Sequence, residues 1–232
     1  MKFKIVSLFV LCAILISCGT SRQGGKKQRK GTKAQVVLTP EQQRKYDYFF
    51  LEASRLKMKD DYSAAFDLLQ HCLTINPNAS SALYEISQYY MYLKQVPQGQ
   101  AALEKAVEND PDNYWYSQGL ASLYQQQNEM QKATNLLESM ATRFSDRMDP
   151  LYSLLDIYNR LEEYDNVITT LNRLEEKMGK NEQLSMEKFR IYLQKKDNQS
   201  AFREIESLVE EYPMDMRYQV ILGDVYMQND KK

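Results

Sequence analysis

Few residues in this chain could do chemistry. A single histidine, His71, is followed directly by Cys72. One histidine cannot build an ordinary multi-histidine metal site, so His71 reads as a solvated residue in the middle of a helix. Cys72 reads as a small apolar core filler rather than a nucleophile. The adjacent acids Glu162-Glu163 and Glu175-Glu176 have no recognisable acid/base partner nearby in sequence, and they read as solvated helix faces. The chain contains no G-x-S-x-G, no H-E-x-x-H and no Gly-rich phosphate loop. Catalysis, a cofactor and a metal are therefore not expected.

The elements around these residues are predicted to be helices. Among 232 residues there are only 8 Gly and 6 Pro, against 17 Tyr and many Leu, Ala, Glu, Gln and Lys. That is a helix-forming composition. Charge is unevenly spread. Residues 1–39 hold eight basic residues (Lys2, Lys4, Arg22, Lys26, Lys27, Arg29, Lys30 and Lys33) and no acid. The remainder holds 22 basic and 31 acidic residues, a net of −9. Such a body would repel phosphate, so nucleic acid is not an expected partner.

The N-terminus reads as a targeting segment. Lys2 and Lys4 precede an apolar run from Ile5 to Ile16, broken only by Ser7. A bilayer span needs about 20 residues, so this run fits the apolar region of a signal peptide. Leu15-Ile16-Ser17-Cys18 resembles the bacterial lipobox. The resemblance implies cleavage of residues 1–17 and lipidation of Cys18. Cys12 would leave with the signal, so Cys72 would be the one free thiol and no intrachain disulfide could form. Residues 18–38 would be a lipidated Cys and a flexible basic tether. Its charges could touch anionic head groups or simply keep a spacer solvated, and both readings stand. Gly19 does not resemble an inner-membrane retention signal. The expected location is the cell envelope, anchored in the outer membrane and facing the periplasm.

From Thr39 onward the chain repeats. Thr39, Pro40 and Gln42 make a helix start with a capping box. Tyr90, Tyr124, Tyr158, Tyr192 and Tyr226 lie 34 residues apart. Ala65, Gly99, Ala133, Val167 and Ala201 keep the same spacing, as do Leu69, Leu103, Leu137, Leu171 and Ile205. Pro77, Pro111 and Pro213 share one register. This period and these columns resemble the tetratricopeptide repeat (TPR) family. The resemblance implies an all-α, right-handed superhelical solenoid of helix-turn-helix repeats over residues 39–232. The repeats fall near 46–79, 80–113, 114–147, 148–181 and 182–215, with a partial 216–232. The sequence departs from the pattern at Leu56, which replaces the repeat's Tyr, and at Ser145 and Gly179, which replace the closing Pro. Lys188-Phe189 stands where a Leu and a small residue belong, so the fifth pair is expected to pack at a slightly different angle. The last residues, 216–232, stop near where a second helix should begin. Either this helix is the cap or the natural protein continues; the apolar Val220, Ile221, Leu222, Val225 and Tyr226 suit a helix covered on more than one side, and continuation is the expectation.

In TPR proteins the first helix of each pair lines a concave groove. The resemblance assigns to that groove Phe50, Tyr84, Gln88, Tyr92, Trp115, Gln118, Ser122, Gln125, Tyr152, Asp156, Asn159 and Arg160. Aromatic and amide side chains of this kind suit a protein or peptide partner. The alternative is that several of these rings pack between repeats. A Lys/Asn clamp for an acidic C-terminus is not supported, because Phe50 and Ser54 occupy its places. The expected role is a membrane-anchored scaffold or adapter. The alternatives are a self-associating structural scaffold acting through the C-terminal helix, and the targeting arm of a protein continuing past residue 232.

Overall fold

The computed structural model describes residues 37–229, and the signal-peptide and lipobox assignments, with nearly all of the tether, lie outside the described residues. Eleven helices and no strand occupy the described residues: α1 (Pro40–Lys57), α2 (Tyr62–Ile75), α3 (Ser80–Tyr92), α4 (Val96–Asn109), α5 (Tyr114–Gln126), α6 (Met130–Arg143), α7 (Asp149–Arg160), α8 (Tyr164–Met178), α9 (Glu182–Gln194), α10 (Asn198–Glu211) and α11 (Met216–Asn229). Each odd-numbered helix up to α9 forms a hairpin with the next, and each hairpin packs on its neighbour in chain order. Thr39 caps α1 with both halves of the capping box formed: its side-chain oxygen accepts from Gln42 N at 3.2 Å, and Gln42 Oε1 accepts from Thr39 N at 2.9 Å.

The repeating columns are the core. Ala65, Ala133, Val167 and Ala201 are fully buried, and Gly99 is buried beside them. A Cβ on Gly99 would stand 2.7 Å from Met91 Sδ and 3.2 Å from the Ser87 carbonyl oxygen. The absent side chain is what lets α3 and α4 approach. Leu69, Leu103, Leu137, Leu171 and Ile205 are buried, as are Cys72, Ala106, Met140, Leu174 and Leu208 three residues further on. Three of the five repeated tyrosines bond backwards to a glutamate 20 residues earlier. Tyr124 Oη donates to Glu104 at 2.9 Å, Tyr158 to Glu138 at 3.3 Å and Tyr226 to Glu206 at 2.7 Å. Each such bond joins a second helix to the first helix of the next repeat.

The turn inside each hairpin has its own period. Asp60, Lys94, Asn128, Glu162 and Lys196 all have positive φ, between 56° and 62°. The following residue returns its N–H to the carbonyl five positions back: Asp61 to Leu56, Gln95 to Tyr90, Glu129 to Tyr124, Glu163 to Tyr158 and Asp197 to Tyr192. This is the Schellman closure of a helix C-terminus, which favours glycine at the left-handed position. No glycine occupies it here. Glu162→Gly is therefore expected to stabilise the chain by about 1 kcal/mol, and Asn128→Gly by less, because asparagine tolerates this backbone. Urea denaturation of the two variants checks the order.

Two sequence expectations need correcting. Glu162 lies in a left-handed turn and Glu163 is the N-cap residue of α8, so this pair does not lie on a helix face. Glu175 is not simply solvated either. Its carboxylate accepts from Lys188 Nζ at 2.8 Å, and Lys188 is only 2% exposed. Lys188 also reaches Glu204 at 2.9 Å, while Lys180 spans the same two carboxylates at 3.3 and 3.5 Å. The lysine that breaks the repeat pattern is thus the centre of a four-residue ion cluster between α8, α9 and α10.

Candidate functional site

All twelve groove residues lie on first helices, α1, α3, α5 and α7, and none is fully buried. They divide by what their side chains touch. Phe50 stacks on Tyr46 of its own helix, with ring centroids 5.9 Å apart and planes 9° apart. Tyr84 stacks on Tyr116 of the next first helix at 4.8 Å. Gln118 accepts from Tyr114 Oη at 2.9 Å. Ser122 and Gln125 are half-buried. Of these five, Phe50 and Tyr84 pack against the core cluster of α1 to α4.

The other seven face outward. Tyr92 is 82% exposed, Trp115 63% and Tyr152 47%. They stand on α3, α5 and α7, one aromatic per consecutive repeat. Gln88 is exposed on α3 and Asn159 on α7. Asp156 and Arg160 are exposed one helical turn apart, with Arg160 Nη1 3.8 Å from Asp156 Oδ2. At that distance, in water, the pair contributes little, and both charges remain usable by a partner.

Trp115 is held in place. Its ring meets Tyr114 edge-on at 5.4 Å. The guanidinium of Arg147, from the turn between α6 and α7, sits 4.0 Å from the Tyr114 ring centroid and 5.5 Å from that of Trp115. A cation over two aromatic faces restrains the rings and presents an ordered surface. Sequence reasoning missed Arg147 because it stands 32 residues from Trp115 and belongs to no repeating column.

His71 is exposed on α2, with Phe49 as its ring neighbour at 5.6 Å. The Cys72 thiol is buried 3.8 Å from the Tyr46 carbonyl oxygen, and burial pushes its pKa up to about 11. It is therefore expected to react with maleimide at pH 7.5 about 100-fold more slowly in the native chain than in denaturant. Mass spectrometry of the Cys72 peptide reads the difference. Among the described residues, no group of three or more His, Cys, Asp or Glu is placed to hold a metal ion. Among them too, no helix is long and apolar enough to cross a membrane.

Hairpins stacked at a 34-residue period define a TPR solenoid. A model of the tetratricopeptide repeat family matches residues 80–113, the hairpin of α3 and α4, and supports that family. Among solved structures, the chain is similar to a tetratricopeptide repeat protein from Parabacteroides merdae, at 17% identity and TM-score 0.54, over 81% of this chain and 75% of that one. It is similar to MamA at 18% identity and TM-score 0.53, over 76% and 96%. It is also similar to YrrB, described as a TPR protein with an unusual peptide-binding site, at 13% identity and TM-score 0.53, over 78% and 94%. No curated protein matches the sequence.

Proposed function

We propose that this chain is a lipid-anchored, periplasm-facing scaffold that holds a protein or peptide partner against the first-helix face of its solenoid. One observation carries the reading: Tyr92, Trp115 and Tyr152 expose large rings on three consecutive first helices. Isolated exposed rings are ordinary on protein surfaces, but a series along one set of helices offers a partner contact area and adaptable hydrogen bonds together. The peptide-binding site in the description of YrrB, which shares the fold, is consistent with it. The anchor rests on the lipobox at Leu15–Cys18.

Both parts can be tested in cell envelopes. Cys18→Ser is expected to move the protein out of the membrane fraction. Trp115→Ala is expected to weaken the partner about 30-fold or more, as truncating an interface hot spot does. Gln131→Ala, on the exposed side of α6, is expected to leave binding unchanged. A partner retained equally by all three proteins contradicts the reading.

A second reading is favoured by α11, where Met216, Val220 and Met227 are exposed. This apolar surface would join copies of the chain end to end. Val225 is unsuitable for testing it, being buried against the core of α9 and α10. Val220→Lys is the clean test, and a mass that rises with concentration in the wild type but not in the variant supports self-association.

A further inference from the structure

A pocket of about 420 Å³ opens beside the turn of the first hairpin, lined by Lys57, Tyr62, Gln88, Tyr89 and Tyr92. That volume falls in the range of small-ligand pockets, about 300–1,000 Å³. Three of its walls are tyrosine rings, two of which, Tyr62 and Tyr89, lie 6.4 Å apart. The polar groups have unequal fates. Tyr62 Oη donates to Asp60 at 2.7 Å, and Lys57 Nζ donates to Glu85 at 2.7 Å. Gln88 donates through its amide nitrogen to Ser87 Oγ at 3.2 Å, which leaves its amide oxygen able to accept. Tyr89 is different: it is 8% exposed and its hydroxyl is buried without a hydrogen-bond partner. A buried hydroxyl without a partner costs stability, and a ligand that supplies the partner recovers it.

The charges select the occupant. A carboxylate would find Lys57 already paired with Glu85, and a cation would find Asp60 already bonded to Tyr62. An uncharged acceptor meets neither objection. A sugar would bring several hydroxyls to a pocket with two groups left to receive them, Tyr89 Oη and the Gln88 amide oxygen, and the rest would be desolvated unmet. An apolar side chain would lie against the three rings, while the flanking peptide group offers a carbonyl to Tyr89 and an N–H to Gln88. We propose that this pocket is a peptide subsite, taking one uncharged apolar side chain of the partner together with a backbone carbonyl that accepts the Tyr89 hydroxyl proton. The proposal rests on the protein-binding reading above and names the chemistry of one part of it.

The test uses the full chain in detergent, titrated by NMR with N-acetyl-Leu-Phe-amide. Saturable binding with Kd on the order of 1 mM is expected, as suits so small a ligand. N-acetyl-Lys-Lys-amide, N-acetyl-Glu-Glu-amide and the disaccharide of N-acetylglucosamine should bind about tenfold more weakly or not at all. Tyr89→Phe keeps the ring and removes the hydroxyl. It is expected to weaken the neutral dipeptide about 5- to 10-fold while raising the Tm of the free chain by about 2 to 4 °C. The opposed directions set a ligand-binding hydroxyl apart from a structural one. Equal binding of neutral and charged dipeptides overturns the proposal. So does sugar binding with the same Tyr89 dependence, an unchanged affinity in Tyr89→Phe, a lowered Tm in that variant, or no saturable binding of the neutral dipeptide. The two readings fail separately: if Trp115→Ala abolishes capture of the envelope partner while Tyr89→Phe changes no affinity, the subsite is wrong and the scaffold stands.

Discussion

Lys188→Met is expected to destabilise the C-terminal part of the solenoid by about 3 kcal/mol, the lower end of the cost of breaking a buried ion pair. The methionine fills much the same space and the apolar stem is kept, so the loss is electrostatic. Glu175 and Glu204 would then face each other with only Lys180, which is partly exposed, to balance them. Adding Glu175→Gln and Glu204→Gln should recover most of the loss, because the one charge left is then that of the partly exposed Lys180. The effect should be local. Phe189, Ala201, Ile205, Leu208, Tyr218 and Val225 form a core cluster of their own, and repeat arrays couple mainly through nearest neighbours. Hydrogen exchange should therefore quicken in α9 to α11 and change little in α3 and α4.

The same cluster sets a pH window. For Glu175, burial alone would raise the pKa, but the hydrogen bond and charge of Lys188, with those of Lys180, overcome it and hold the pKa below the usual carboxylate value. A depressed acid contributes stability that is present above its unfolded value, about 4.3, and is lost as pH falls through its folded value. For Lys188, burial alone would lower the pKa, but bonds to Glu175 and Glu204 overcome it and hold the pKa above the usual lysine value. A raised base contributes stability that is complete below about 10.4 and is lost as pH rises through the folded value. Lys188→Met should cost most between these limits and progressively less beyond either one. A cost independent of pH would show that shape, not charge, governs the site.

Leu137→Ala is expected to cost about 3 to 4 kcal/mol. Leu137 is fully buried in the largest core cluster, which runs without a break from Leu103 on α4 to Ile191 on α9. Truncation removes the transfer energy of the side chain and leaves a cavity that close-packed helices cannot collapse around. Leu136, its neighbour in sequence, is only partly buried against that cluster. Leu136→Ala should cost about 1 kcal/mol. A repeat array with a damaged centre need not unfold in one step, so the urea transition of Leu137→Ala should broaden as it shifts. Equal shifts for the two leucines would count against the packing described here.

The sequence displayed the fold through its columns. A small residue, an aliphatic residue and a tyrosine recurring every 34 positions can be read directly, because each reports one fixed packing contact. The hairpin turn hid its period. Asp60, Lys94, Asn128, Glu162 and Lys196 share a backbone conformation but no side-chain chemistry, and the glycine that would have marked it is absent. Lys188 was visible as a departure from the pattern, but its partners were not. Glu175 and Glu204 lie on other helices, and only packing brings them to one lysine. The first-helix residues were legible as a set, while their division was not. Tyr84 is drawn into packing by Tyr116, 32 residues away, whereas Trp115 stays exposed beneath Arg147. The Tyr89 pocket combines residues from three helices and carries no periodic signal.

In-cell photo-crosslinking tests the central claim most directly. The probe replaces Trp115 on α5 and, in a parallel strain, Gln131 on the exposed side of α6, and the membrane fraction is read by mass spectrometry. The account predicts one dominant envelope protein captured from position 115, lost when Arg160 is changed to Glu, and not captured from position 131. Capture of the same protein from both positions, or only self-crosslinks from 115, would contradict a first-helix binding face and move the working surface elsewhere on the solenoid.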